Sequence, residues 1–261
     1  MRDLALDLAL AQRLADAADA MSMAKYRSSE LVVETKPDLT PVTDADKAVE
    51  KKIREALAVA RPDDLVLGEE FGAPTLTQDS YYWVIDPIDG TKNFLRGIPS
   101  WATLIALCNP EGEVVAGVVS APALYRRWFA SLGSGAYISE NGGVPRQIKV
   151  SAVRNLKDAS LSYSDLTGWG TRKAAMLKLQ DEIWRSRGFG DFWSHMLVAE
   201  GAIDIAVEPT LALWDMAALD IIVREAGGTF TNLDGVPGPH GGNGVSSNTL
   251  LHTDFLAALN S

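Results

Sequence analysis

The sequence predicts a layered α/β fold, and three observations carry that expectation. Segments with helical apolar spacing alternate with short strand-like apolar runs, several apolar runs close on carboxylates, and the 261 residues contain no internal repeat or low-complexity tract. At this length folding hides roughly three quarters of the unfolded chain's surface, so a sizeable core forms without staples.

In chain order, Leu10, Leu14, Ala18 and Met21 recur at helical spacing within the first thirty residues. Thr43 and Asp44 announce a second helix through Val49, Ile53, Leu57 and Ala60, which Pro62 stops. Leu65–Leu67 and Trp83–Ile85 read as buried strands that run into acids. Trp101–Cys108 and Val114–Ser120, joined by the turn Asn109-Pro110-Glu111-Gly112, read as a β-hairpin. Trp128–Ala130 and Ala136–Ile138 extend that sheet, with a turn at Asn141-Gly142-Gly143. The second half is expected to hold helices over Arg172–Trp184, Phe192–Glu200 and Met216–Glu225, a strand over Ile203–Val207, and a helix stop at Gly227-Gly228. Gly238–Gly244 is a loop without a readable purpose. The rhythm changes near residues 145–150, which divides the chain into an antiparallel-rich part, 1–147, and a smaller α/β part, 148–261.

Composition removes several partners. With 34 acidic and 24 basic residues the formal charge is −10. Such a surface repels phosphate backbones, and no basic stripe with interleaved aromatics offsets it, which argues against nucleic acid. Cys108 is the single cysteine and follows the apolar run Thr103–Leu107, so it reads as a small buried hydrophobe in a reducing compartment. No stretch approaches about 18 apolar residues, the length a membrane helix needs. Asp3, Asp7 and Asp16 interrupt the N-terminal apolar pattern, unlike a secretory leader. The expected setting is cytoplasmic, away from membranes.

Three acidic groups end apolar runs: Glu69-Glu70, Asp86 with Asp89, and Asp215. Ligand sites of α/β sheets lie at such strand ends. Carboxylates converging there repel strongly unless a cation sits between them, and an oxygen-only donor set without a Cys or His cluster favours Mg²⁺. The most informative segment is Asp86-Pro87-Ile88-Asp89-Gly90-Thr91. Pro87 holds Asp86 extended and removes one backbone donor. The chain can then turn both aspartates inward with the Ile88 carbonyl between them, while the amides of Gly90 and Thr91 cradle an anion. Each neighbour also has a plainer reading. Asp215 suits a helix N-cap, Asp46 suits the first turn of a helix, Glu70 suits a surface or supporting acid, and His195 suits a packed helix face. His240 and His252 lie in unrelated contexts.

Gly68-Glu69-Glu70, Asp86-Pro87-Ile88-Asp89-Gly90-Thr91 and Leu213-Trp214-Asp215-Met216-Ala217-Ala218 resemble, in order and spacing, the motifs of the inositol monophosphatase family. Thr43-Asp44-Ala45-Asp46 and Gly133-Ser134-Gly135-Ala136 extend the resemblance over nearly the whole chain. It implies an αβαβα sandwich related to fructose-1,6-bisphosphatase, two or three Mg²⁺ ions per site, and a homodimer. It also implies that Glu69, Asp86 and the Ile88 carbonyl hold a first metal and Asp86, Asp89 and Asp215 a second. Asp46 and Thr91 then hydrogen-bond the attacking water, so a phosphomonoester is hydrolysed without a covalent phosphoenzyme. Thr35–Thr43, with Lys36, Pro37 and Asp38, resembles the family's loop near the metals.

Asp191 and Glu208 match the family positions that meet the alcohol. Two carboxylates there suit an ester whose alcohol carries an ammonium group. The run Arg187-Gly188-Phe189-Gly190-Asp191-Phe192-Trp193-Ser194-His195 resembles the bacterial histidinol-phosphate phosphatases of the family; Phe192 or Trp193 could flank the imidazole, both could equally be core, and at least one is expected to be core. Histidinol phosphate is therefore the expected substrate. The alternatives are an inositol or broad sugar phosphatase, and a non-catalytic Mg²⁺-binding regulatory protein, which would be expected to have lost a metal ligand or the water-activating pair Asp46 and Thr91.

Overall fold

The Asp3 carboxylate accepts the amides of Ala5 and Leu6 and so starts α1 (Leu4–Lys25), whose buried face presents Leu10, Leu14 and Ala18 as the spacing predicts. The computed structural model describes residues 2–36, 40–72 and 80–261. Pro37 and Asp38 of the expected loop lie outside the described residues. A small hairpin, β1 (Val33–Thr35) with β2 (Pro41–Thr43), leads into α2 (Asp44–Ala60), for which Thr43 is the N-cap.

A seven-stranded sheet follows, in strand order with no crossover: β3 (Leu65–Gly68), β4 (Tyr82–Asp89), β5 (Ala102–Cys108), β6 (Val114–Ala121), β7 (Arg126–Ser131), β8 (Ala136–Glu140) and β9 (Arg146–Ile148). The short helix α3 (Thr91–Leu95) turns off the end of β4. Only the β3–β4 pair of this sheet is parallel. The second sheet has the order β11-β10-β12-β14-β13. It is built from β10 (Ser160–Ser162), β11 (Arg185–Arg187), β12 (Ile205–Glu208), β13 (Thr229–Thr231) and β14 (Gly244–Ser247), with α4 (Lys173–Glu182), α5 (Asp191–Ala199), α6 (Leu213–Glu225) and α7 (His252–Leu259) interspersed.

Strand periodicity explains the layering. On β4, Trp83 and Ile85 join the α1/α2 core, while Tyr82 and Val84 join the core of α5 and α6. On β12, Ile205 and Val207 pack with Met176 of α4 and Phe255 of α7, while Ala206 faces Val198 of α5. The result is helix pair, sheet, helix pair, sheet, helix pair: the expected αβαβα sandwich. Although α6 comes late in the chain, it rests directly on β6. A Cβ on Gly117 would lie 2.6 Å from Ile221 Cγ2 and 3.2 Å from the Ala218 backbone.

Several boundaries differ from the sequence expectation. The helix expected over Arg172–Trp184 is shorter, because Ile183 is already extended, and a 3-10 turn over Gly170–Arg172 precedes it. The strand expected over Ile203–Val207 begins at Ile205; the Asp204 carboxylate instead accepts the Ser160 amide at 2.7 Å. Gly238–Gly244 gains a purpose, since the Gly242 carbonyl accepts the Leu211 amide and Gly244 opens β14. No described helix is long and apolar enough to cross a membrane.

Candidate active site

The acidic turn owes its geometry to one extra residue. Asp86 pairs with Leu104 and Asp89 with Ala102, so three steps on β4 match two on β5. Residues three apart on a regular strand face opposite sides; the bulge removes that conflict and turns both carboxylates the same way. The Thr103 hydroxyl donates to the Pro87 carbonyl at 2.8 Å, and Asp86 Oδ1 accepts the Ile88 amide at 3.0 Å, which holds the bulge. Asp215 arrives from α6. It is not the N-cap that its position suggested: the helix starts at Leu213, and Asp215 Oδ2 reaches back to the Ala212 amide at 2.7 Å.

Carboxylate oxygens of Asp86, Asp89 and Asp215 then lie within 4.8 Å of one another. Burial, reinforced by the charges of Glu69, Asp89 and Asp215, raises the Asp86 carboxyl well above the usual range. Burial, with Asp191 and Asp215 nearby, does the same to Asp89. Burial is also the main reason that Asp215 is pushed up to about 7. Three crowded carboxylates that resist ionisation are a site suited to a divalent cation, and an all-oxygen donor set selects a hard one.

Parallel pairing of β3 with β4 brings Glu69 to the same sheet end, where its amide donates to the Ile85 carbonyl. Lys36 Nζ lies 2.7 Å from both Glu69 and Glu70, so a protein ammonium already counters these acids. Glu70 is not a surface acid: its side chain is only 3% exposed, and burial raises its carboxyl to about 7. Asp46 is fully buried in the first turn of α2. Its Oδ2 accepts the Thr43 amide at 2.8 Å and the Thr43 hydroxyl at 2.5 Å. Its Oδ1 faces Thr91 Oγ1 at 3.5 Å, and that hydroxyl also donates to the Ile88 carbonyl at 3.1 Å. Burial pushes Asp46 up to about 6. Gly90 has φ +79°, and a Cβ there would come 3.0 Å from the Ser100 carbonyl, so the turn requires glycine.

A cleft of about 630 Å³ connects these groups with a second acidic wall. Asp191 lines it at the start of α5, held in a left-handed conformation (φ +48°). Glu208 is buried behind that wall. The Ser164 hydroxyl joins the two, accepting the Asp191 amide at 2.9 Å and donating to Glu208 Oε1 at 2.6 Å. Burial raises both acids, Glu208 to about 8. Asp89 Oδ2 accepts the Phe192 amide at 2.9 Å, which ties the two walls together.

The family model described as "Inositol monophosphatase family" matches residues 3–261. The chain belongs to the inositol monophosphatase family. Within that family it is 55% identical to a histidinol-phosphatase of Mycobacterium tuberculosis, over 97% of this chain and 98% of the other. It is 54% identical to the histidinol-phosphatase of Streptomyces coelicolor, over 100% and 99%. Among solved structures, the extragenic suppressor protein suhB of Bartonella henselae superposes with a TM-score of 0.88 at 32% identity, covering 98% of this chain and 99% of that one.

Of the expected site residues, Glu69, Asp89, Gly90, Thr91, Asp215 and Asp191 line the cleft, while Asp46, Asp86, Ile88 and Glu208 are buried behind them. The expectation that at least one of Phe192 and Trp193 is core holds. Phe192 is core, 1% exposed and edge-on to Trp128, while Trp193 packs against Phe189 at 5.4 Å. His195 is fully buried with Nδ1 2.8 Å from the Ser246 hydroxyl; His252 bonds Thr231 and Ser247, and His240 the Gly112 carbonyl. Sequence reading missed Glu50. It sits on α2 among charged residues, yet it is fully buried and accepts the Glu70 and Phe71 amides, which sets the course of the chain beyond Glu69. The signal for it was Gly68, whose hydrogen leaves the room that Glu50 Oε1 fills.

Proposed function

We propose that this chain is a histidinol-phosphatase, hydrolysing L-histidinol phosphate to L-histidinol and phosphate late in histidine biosynthesis. The observation that carries the substrate is the pairing of Asp191 and Glu208 through Ser164 at the alcohol end of a cleft whose other end is the carboxylate cluster. An ammonium-bearing alcohol pairs with Asp191, which lines the cleft with the buried Glu208 behind it, whereas a neutral polyol only hydrogen-bonds there. The high identity to two proteins named histidinol-phosphatase supports the same reading.

In this reading Glu69, Asp86 and the Ile88 carbonyl, and Asp86, Asp89 and Asp215, hold two or three Mg²⁺ ions. When bound, the ions neutralise the phosphate and make water a better nucleophile. The protein's own groups do the rest. The Gly90 and Thr91 amides bound the phosphate at the start of α3. Thr91 Oγ1 orients the attacking water and passes its proton to Asp46, whose carboxyl near pKa 6 accepts it at neutral pH. Asp191 and Glu208 orient the alcohol as it leaves. The same reading takes residues 1–147 as the subdomain carrying most cation-holding acids and 148–261 as the one carrying the alcohol wall, in a cytoplasmic homodimer.

Phosphate release is to be compared for histidinol phosphate, inositol 1-phosphate and glycerol 2-phosphate at saturating Mg²⁺. A large preference for the first, lost in Asp191→Asn, is expected. Equal rates on all three would make the chain a generalist and leave Asp191 a structural residue.

A further inference from the structure

Asp191 is the residue on which substrate choice turns in the function proposed above, and its carboxylate does not stand alone. Asn93, two residues beyond Thr91 on α3, donates from Nδ2 to Asp191 Oδ2 at 3.0 Å and to the Ser100 carbonyl at 2.9 Å. Both partners are acceptors, so the amide must present its NH₂ to them, and a carboxylate or hydrophobe at this position cannot do so. Gly90 adjoins both partners: a Cβ there would come 3.0 Å from the Ser100 carbonyl and 3.4 Å from Asp191 Oδ2. The Asp191 backbone is fixed separately, by the Ser164 hydroxyl on its amide and by its left-handed φ of +48°. A side chain whose backbone is fixed still rotates about its own bonds, and Asn93 removes that freedom by occupying one oxygen. The other oxygen, Oδ1, is left for the cleft that Asp191 lines.

We propose that Asn93 is a positioning residue for substrate choice. By pinning Asp191 Oδ2 it aims Oδ1 at the ammonium of the alcohol, and it makes that aim depend on the same turn that bounds the phosphate. The distance between phosphate and ammonium in an acceptable substrate is thereby set by a hydrogen bond between α3 and α5, not by either helix alone. A hydrogen bond to a charged group in a partly buried site is one of the stronger kinds, and losing its orienting effect is felt only by a ligand that uses the charge. This inference rests on the histidinol-phosphate reading.

The test is kcat/KM on histidinol phosphate and on glycerol 2-phosphate, with Mg²⁺, for wild type, Asn93→Ala, Asp191→Asn and the double variant. Asn93→Ala is expected to lower the ratio of the two values about tenfold, equivalent to 1.4 kcal/mol, chiefly through KM for histidinol phosphate. In the Asp191→Asn background it should lower the ratio no further, because Asn93 acts through Asp191. Should Asn93→Ala fail to fold, Asn93→Ser, which keeps a small polar group but falls short of Asp191, carries the same comparison. Equal losses on both substrates, an unchanged ratio, or full additivity with Asp191→Asn would overturn the inference. A wild-type enzyme with no preference for histidinol phosphate overturns the underlying substrate reading itself, and that result is distinguishable because it precedes any Asn93 variant.

Discussion

Replacing Asp215 by Asn should stabilise the protein stripped of divalent ions, although it removes a residue of the active site. The folded carboxyl is held near pKa 7 against an ordinary value of 3.8, so ionising it in the fold costs up to about 4 kcal/mol at 1.36 kcal/mol per unit. Burial is the main cause, and the charge of Glu69 adds to it. The Asn carbonyl can still accept the Ala212 amide, so the helix start survives. With relaxation allowed for, a gain of about 2–4 kcal/mol is expected, or roughly 5–10 °C in Tm. The pH dependence has a definite sign. Because the folded pKa is raised, the folded state binds more protons between 3.8 and about 7, and stability falls as pH rises through that window. The variant's advantage should therefore be absent near pH 4 and complete by pH 8. Scanning calorimetry in EDTA at both values measures it, and saturating Mg²⁺ should reverse the order by stabilising the wild type more. A variant less stable than wild type in EDTA at pH 8 would refute the claim that the fold disfavours an ionised Asp215.

Other perturbations probe different parts of the structure. Asp46→Asn removes the proton acceptor beside Thr91 and should lower kcat by about 10²–10⁴ with KM little changed, measured by steady-state phosphate release. Gly117→Ala places a methyl against Ile221 and the Ala218 backbone, so α6 must shift; a loss of about 1–3 kcal/mol in denaturant unfolding is expected, with reduced turnover because α6 carries Asp215. His195 is buried with its pKa lowered by desolvation to about 3, so the unfolded chain binds the proton first and stability falls as pH drops below 6.5. Between pH 7 and pH 5 that is about 2 kcal/mol, and His195→Gln should flatten this part of the Tm–pH curve. An identical slope in the variant would contradict a buried neutral imidazole.

The sequence made the site's inventory readable because chemistry that needs carboxylates at strand ends leaves acids directly after apolar runs, as at Glu69, Asp86 and Asp215. The layering was readable for a similar reason: Val49, Ile53 and Leu57 carry the helical period, and Thr103–Leu107 is the unbroken apolar run of a strand buried on both faces. What stayed hidden depends on relations between distant segments. Glu50 and Asn93 look like solvated helix residues until the fold brings Gly68 and Asp191 to them. Three-residue strands such as β1, β9, β10 and β13 are too short to show alternation, and they exist only because a neighbouring strand accepts them. Asp215 was misplaced within its helix because Leu213 and Trp214 read as the end of an apolar run, not as the first turn of α6.

The bulge in β4 ties the active site to one chain length between Asp86 and Asp89. Between them the strand carries one residue more than its partner needs, and at that spacing the bulge lets two carboxylates share a side. A homologue could gain or lose whole turns of an outlying loop without consequence for the acidic cluster. Deleting one residue from Pro87-Ile88 would leave the sheet paired and the two aspartates on one side, yet it would remove the bulge whose Pro87 carbonyl accepts the Thr103 hydroxyl and whose Ile88 carbonyl accepts the Thr91 hydroxyl. Length variation in relatives should therefore be absent from this four-residue window, even where every side chain in the surrounding strand has been exchanged.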